Sequence, residues 1–288
     1  MDDYLKSGEI CNKAREYGVS LLKEGAKFAD IAEKIEAKIE ELGGKPAFPI
    51  DIGIDYLAAH DSPKHNDERI LKKGDVVKLD LGVHVNGAVT DTAVTVEIGT
   101  FKFKKLIECS EEALNNAVKI VKPGIKIREI GKIIQETIEK YGFSPIINLS
   151  GHGVDLYEVH AKPSIPNYDN KDNTTLSEGD VIAIEPFVTT GEGKIVEGKP
   201  SGIYELVDDK SIRDNNARKI LEFVKEEYGR LPFSERWLIK KFGNIARLAL
   251  LLLERDGIIK QFNILPEISK GQVAQAERTL IVGKGVIN

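Results

Sequence analysis

Five residues of this chain could bind metal ions or move protons, and each sits where its type is locally unfavourable: Asp80, Asp91, His152, Glu185 and Glu277. The carboxylates interrupt apolar runs, VVKLDLG, AVTDTAV, VIAIEPF and VAQAERTLIV, and the imidazole opens the strand-like HGVDL. A buried carboxylate is costly unless something pairs with it. One such conflict is noise, but five, all carboxylate or imidazole, point to a functional site. Two divalent metal ions would resolve all five. Oxygen-rich ligation with one imidazole suits Mn, Fe, Co or Zn, and a chain with 2 cysteines cannot offer a sulfur-rich site. A pair of such ions about 3.5–4 Å apart can activate a bridging water and polarise a carbonyl.

The elements that must position these groups are legible. Val76 to Ile98 reads as two strands around Asn86-Gly87, a pair suited to the positive φ angles of a tight hairpin turn. A two-residue loop sets Val85 opposite Ala88, Gly82 opposite Asp91, and Asp80 opposite Ala93. Asp80 and Asp91 then point to one side as diagonal neighbours, with Cα atoms about 7–8 Å apart. Two converging carboxylates repel and need a cation or a shared proton. The alternative, a solvent-facing polar stripe, is weakened by Gly82, which leaves room between them for a bound group. A bulge would change this register. His84 shares the face of Asp80 but lies about 13 Å along the strand, too far to join the site. His65, in the polar stretch DSPKHNDER, is expected to be solvated.

The chain also repeats itself. LKEGAKFADIAEKIEAKIEELG and VKPGIKIREIGKIIQETIEKYG align Gly25 with Gly124, Ile31 with Ile130, Ile35 with Ile134, Ile39 with Ile138 and Gly43 with Gly142. Isoleucines every fourth residue make each copy an amphipathic helix, closed by a glycine at its C-cap. Further on, LKKGDVVKLDLG answers LSEGDVIAIEPF, so Asp80 aligns with Glu185, and AAH ending at His60 answers SGH ending at His152. The pattern helix–His–strand–acid, twice over, predicts a pseudo-symmetric site between two halves.

Composition sets the background. The 288 residues carry a net charge of −5, which gives no bulk attraction to nucleic acid. Richness in Lys, Glu and Ile leans towards a thermophile. No apolar run reaches the roughly 18 residues of a membrane span, and MDDYLKSGEI lacks the features of a signal peptide, so a cytoplasmic location is expected.

The five ligands in this order, with GHGVDLYEVH and IAIEPF around them, resemble the methionine aminopeptidases of type II. The resemblance covers nearly the whole chain. It implies an α/β (α+β) pita-bread fold, a pseudo-twofold duplicated architecture, and two divalent metal ions per chain. It implies that Asp91 and Glu277 bridge the metals, that Asp80 binds one, and that His152 and Glu185 bind the other. It further implies that His60 lies near the scissile nitrogen, that His160 contacts the substrate carbonyl, that Glu185 moves a proton to the leaving amine, and that Phe48 lines a methionine pocket. The activity implied is removal of the initiator methionine from nascent polypeptides when the second residue is small. The long interval from Glu185 to Glu277 matches type II rather than type I. It divides the chain into a catalytic domain, 1–206 with 269–288, and a helical insertion, 207–268; some such insertions resemble a winged helix. Two departures concern the pocket: IDIGIDYLAA precedes His60 where Asn and Ser are common, and Asp61 follows it where an aromatic is common.

Two other readings stand beside this one. An Xaa-Pro aminopeptidase of the same fold would carry a large extra N-terminal domain, whereas this chain opens almost at once on the first repeat helix. A non-catalytic RNA- or protein-binding relative would have lost metal ligands, and all five stand. Arg236–Lys241 is expected to be a solvated helix face, although a basic patch on the insertion could meet the ribosome, and Trp237 is expected to anchor the insertion's core. A monomer is the expected state.

Overall fold

The repeat is present as two matched helix-and-sheet units. The structure, a computed structural model, describes residues 1–288. Helices α1 (Asp2–Leu21) and α2 (Phe28–Glu41) belong to the first unit, and α3 (Lys104–Ile120) and α4 (Ile127–Lys140) to the second. Ile31, Ile35 and Ile39 on α2 enter one core, and Ile130, Ile134 and Ile138 on α4 enter another. The turns into α2 and α4 also match. Gly25 and Gly124 share a φ of +83°, which a side chain would strain. Their N–H groups donate to Leu71 O and Leu176 O at 2.8 and 2.7 Å.

Both units feed one nine-stranded sheet. From the first unit come β1 (Asp51–Ile54), β2 (Val76–Val85) and β3 (Ala88–Glu97). From the second come β4 (Ser150–Asp155), β5 (Glu158–Pro166) and β6 (Val181–Ile184). Strand β2 pairs with β3 in unbroken register, with Gly82 opposite Asp91 and Asp80 opposite Ala93, as the turn chemistry dictates. Asn86 and Gly87 have φ angles of +51° and +88°, so the turn takes the form that matches the strands' twist. No helix is long and apolar enough to cross a membrane.

A third cluster of elements lies between Pro200 and Asn263. Strands β7 (Pro200–Leu206) and β8 (Ile259–Asn263) pair with each other, and β7 also pairs with the short strand Phe233–Ser234. Helices α5 (Asn215–Glu227), α6 (Glu235–Phe242) and α7 (Ile245–Arg255) complete a separate core of 15 buried residues. The final main strand, β9 (Glu277–Ile281), then returns to the large sheet and lies between β3 and β6. It joins the two repeats along the middle of the sheet.

The solvated face expected for Arg236–Lys241 holds for Lys240 and Lys241 but not for Arg236, which is 2% exposed. Its guanidinium donates to the Glu36 carboxylate on α2 at 2.9 and 2.6 Å and to Pro63 O at 3.2 Å. This fork staples the third cluster to the first repeat unit. Trp237 packs against the core of its own cluster, tilted over Tyr228 at 5.4 Å. Arg236→Ala would leave Glu36 buried without its partner and should cost about 3–5 kcal/mol. The double variant Arg236→Met with Glu36→Leu should recover most of that in denaturant unfolding. An Arg236→Ala protein as stable as the parent would show that the fork is not a staple.

Candidate metal centre

The candidate ligands reach the cavity from, or just beyond, five different strands. Asp80 comes from β2, Asp91 from β3, His152 from β4, and Glu277 from the start of β9, while Glu185 follows the end of β6. A register shift between His152 and Gly153, in the pairing of β4 with β5, falls beside the imidazole, and bulges commonly re-aim a side chain next to a site. The cavity, of about 330 Å³, is lined by these five residues together with His60, His160 and Phe48. His84 is elsewhere, its Nδ1 accepting from the Gly87 N–H at 3.3 Å. All the candidate residues named from the sequence therefore meet in one place.

The donor set is tight, and its imidazole is held neutral. One ligand atom each from Asp91, His152 and Glu277 lies within 4.8 Å of the others. His152 Nδ1 lies 3.0 Å from Gly153 O, so the ring's proton belongs there and Nε2 keeps its lone pair. That lone pair faces Asp91 Oδ2 at 3.6 Å, Glu185 Oε1 at 3.7 Å and Glu277 Oε1 at 4.0 Å. Burial lowers the His152 pKa to about 4. These contacts are therefore not ion pairs at neutral pH but an electron-rich cup. Asp80 Oδ1, Asp91 Oδ1 and Glu277 Oε1 are buried with no hydrogen-bond partner. Orphaned carboxylate oxygens around an imidazole lone pair fit divalent cations of the harder or borderline kind.

The carboxylates respond to this crowding. Burial raises the Asp80 pKa to about 6, against a hydrogen bond from Gln275. Burial, and then the charges of Asp80 and Glu185, push Asp91 well above the usual carboxylate range. Glu185 and Glu277 are pushed up in the same way, burial again first. The imidazole of His160 stands edge-on to that of His152 at 4.7 Å between centroids. Its pKa is lowered, chiefly by poor solvation and then by the two neighbouring histidines, although part of the side chain is open to water.

Several functional neighbours escaped the sequence reading. Gln275 Nε2 donates to Asp80 Oδ2 at 3.0 Å and to Glu185 Oε2 at 3.3 Å, bridging the matched acids of the two repeats. Thr279 Oγ1 accepts from the Asp91 N–H at 2.7 Å and donates to Asp91 O at 2.9 Å. Both lie two residues from Glu277, a spacing that puts strand residues on one face and could have flagged them. Gly82 differs from expectation. The space above it is taken by the Phe48 ring, and a Cβ there would meet that ring at 2.3 Å. The glycine thus admits a cavity wall rather than a bound group. Asp61 is spent on Arg69, whose Nη1 donates to it at 3.0 and 2.8 Å.

These shifts have a sign. A carboxylate whose pKa is raised on folding favours the fold at pH values below its unfolded pKa of about 4, and that contribution is lost as pH rises through the folded value. The metal-free protein should therefore lose stability as pH rises through about 6, where Asp80 titrates, and above. A bound divalent cation should cancel the loss. Melting curves with and without EDTA should diverge as pH rises from about 4 through about 6 and above. Parallel curves would contradict the assignment of these groups to a cation site.

Comparison with known proteins agrees with this geometry. The model of metallopeptidase family M24 matches residues 2–219. The methionine aminopeptidase of Thermococcus onnurineus (strain NA1) is 48% identical over 283 residues, covering 97% of this chain and 95% of that one. A methionine aminopeptidase from Thermotoga maritima has a TM-score of 0.71 at 24% identity, over 99% of this chain and 95% of that one. The structure of a thermophilic Arx1 has a TM-score of 0.82 at 18% identity, over 97% of this chain and 87% of that one. The last two likenesses bear on the fold alone, which is the duplicated pita-bread arrangement. By the family model and by its curated relatives, the chain belongs to metallopeptidase family M24.

Proposed function

We propose that this protein is a type II methionine aminopeptidase that removes the initiator methionine from nascent polypeptides in the cytoplasm, acting as a monomer. The observation that carries the reading is the convergence of Asp80, Asp91, His152, Glu185 and Glu277, with orphaned oxygens, beneath His60 and His160 in one cavity. Identity of 48% to a methionine aminopeptidase over 97% of the chain supports the substrate. The three helices and three-stranded sheet between Pro200 and Asn263 support the type II assignment and a winged-helix-like insertion.

In this reading Asp80, Asp91, His152, Glu185 and Glu277 would together hold two divalent ions. When bound, such ions would supply a water of lowered pKa and a Lewis acid for the scissile carbonyl. The remaining work falls to the chain's own groups. His60 Nδ1 lies 3.2 Å from Asn263 O and so carries the ring proton, leaving Nε2 to accept the N–H of the scissile amide. His160, held neutral, donates to the oxygen on which negative charge develops. Glu185, at the cavity wall, is placed to carry a proton from an attacking water to the leaving amine. Phe48, Val159, Ile203 and Phe262 give the cavity apolar walls that suit an unbranched thioether side chain.

Met-Ala-Ser and Met-Asp-Ser peptides, supplied with EDTA or with Co²⁺ or Mn²⁺, test this reading. The expected result is metal-dependent release of methionine from the Ala peptide only. His160→Ala should lower kcat by about 10²- to 10³-fold, as loss of an oxyanion donor does. Metal binding without cleavage of either peptide would move the assignment towards a binding role.

A further inference from the structure

Asp51 is a buried carboxylate that the reaction above does not use. It sits on β1 directly opposite Asp80 on β2, is 6% exposed, and lines the same cavity. Its Oδ2 accepts the backbone N–H of His60 at 3.1 Å, and its Oδ1 has no partner in the protein. The burial of this carboxylate is therefore tied to one hydrogen bond, and that bond holds His60.

His60 needs holding. Its φ is +61°, in the left-handed region that residues other than glycine seldom occupy. Such a backbone persists only where its surroundings over-determine it. Asp51 grips the main-chain N–H from the sheet side. The third cluster grips the ring: Asn263 O on β8 takes the Nδ1 proton at 3.2 Å, and Phe262 meets the imidazole edge-on at 5.2 Å between centroids. The neighbouring acid cannot replace Asp51, because Asp61 is engaged by Arg69.

We propose that Asp51 is a positioning residue that clamps His60, together with the Phe262–Asn263 segment, in one orientation and one tautomer. The tautomer matters because only a ring protonated on Nδ1 presents an Nε2 lone pair to a substrate N–H. The orientation matters because displacing a reacting group by about 1 Å can cost up to about 10²-fold in rate. The clamp also makes the third cluster a working part of the site. This inference rests on the role given to His60 under the proposed function.

The test uses the metal-loaded full chain and the variants Asp51→Ala, Asp51→Asn, His60→Ala and the double variant Asp51→Ala with His60→Ala. With Met-Ala-Ser, Asp51→Ala should lower kcat by about 10- to 100-fold with little change in KM. The double variant should be no worse than His60→Ala, because both changes remove one contribution. Asp51→Asn keeps an oxygen acceptor for the His60 N–H and should restore nearly parental kcat. Metal content should be unchanged throughout. A second readout does not need activity: long-range ¹H–¹⁵N spectra of histidine-labelled, Zn²⁺-loaded protein should show His60 protonated on Nδ1 in the parent and Asp51→Asn, and mixed tautomers in Asp51→Ala. Additive kinetic losses, loss of metal from Asp51→Ala, or an unchanged His60 spectrum in that variant would overturn the proposal. A parent that releases no methionine would overturn the proposed function instead, and the spectra would still decide the clamp.

Discussion

Four carboxylates crowd one buried cavity against the lone pair of a neutral His152, and the sheet holds them there. Asp80, Asp91, Glu185 and Glu277 could each be relieved by moving apart or turning to water. They do neither, because Asp80, Asp91 and Glu277 are rooted in hydrogen-bonded strands and Glu185 directly follows one, and the other residues of those strands are locked into a core. The register of β2 with β3 sets the two aspartates on one face. Glu277 is set opposite Ala93 by β9, which is laid between the halves. The sheet therefore confines a local conflict that only bound cations relieve without loss of charge.

The duplication explains how so many groups converge. Each repeat brings a histidine and an acid to matched points, His60 with Asp80 and His152 with Glu185. Copies of one motif facing each other present these groups to a common space. The two halves are not used alike: His152 joins the carboxylates at the base, whereas His60 is held over the cavity by Asp51 and β8. A third cluster, stapled to the first repeat by Arg236 and Glu36, supplies that second grip. Pseudo-symmetry brings matched groups to one cavity, and departure from it sets His60 apart from His152.

Much of this was legible in the sequence, for physical reasons. The hairpin register followed from Asn86-Gly87 and strict alternation, because a two-residue turn leaves no freedom to slip. The helices α2 and α4 followed from isoleucines at every fourth position. The five candidate ligands stood out because carboxylates, and an imidazole beside them, are rare in apolar strands. Long-range partners were not legible. Nothing local distinguishes Arg236 from the exposed Lys240 and Lys241; its burial comes from Glu36, 200 residues away. The Phe48 ring above Gly82 and the Asn263 carbonyl on His60 are likewise products of tertiary approach. Gln275 and Thr279 could have been suspected from their spacing to Glu277, but an amide and a hydroxyl in a strand are too common to stand out.

If divalent ions neutralise the buried acids, as proposed above, their binding must release the protons those acids hold. The most direct measurement is a calorimetric titration of the EDTA-stripped protein with Mn²⁺ or Co²⁺ in buffers of different ionisation enthalpy. The expected result is binding of two ions per chain, with protons released as the raised carboxylates ionise, and weakened binding in both Asp91→Asn and Glu277→Gln. Absence of stoichiometric binding, or binding that survives both substitutions unchanged, would contradict it.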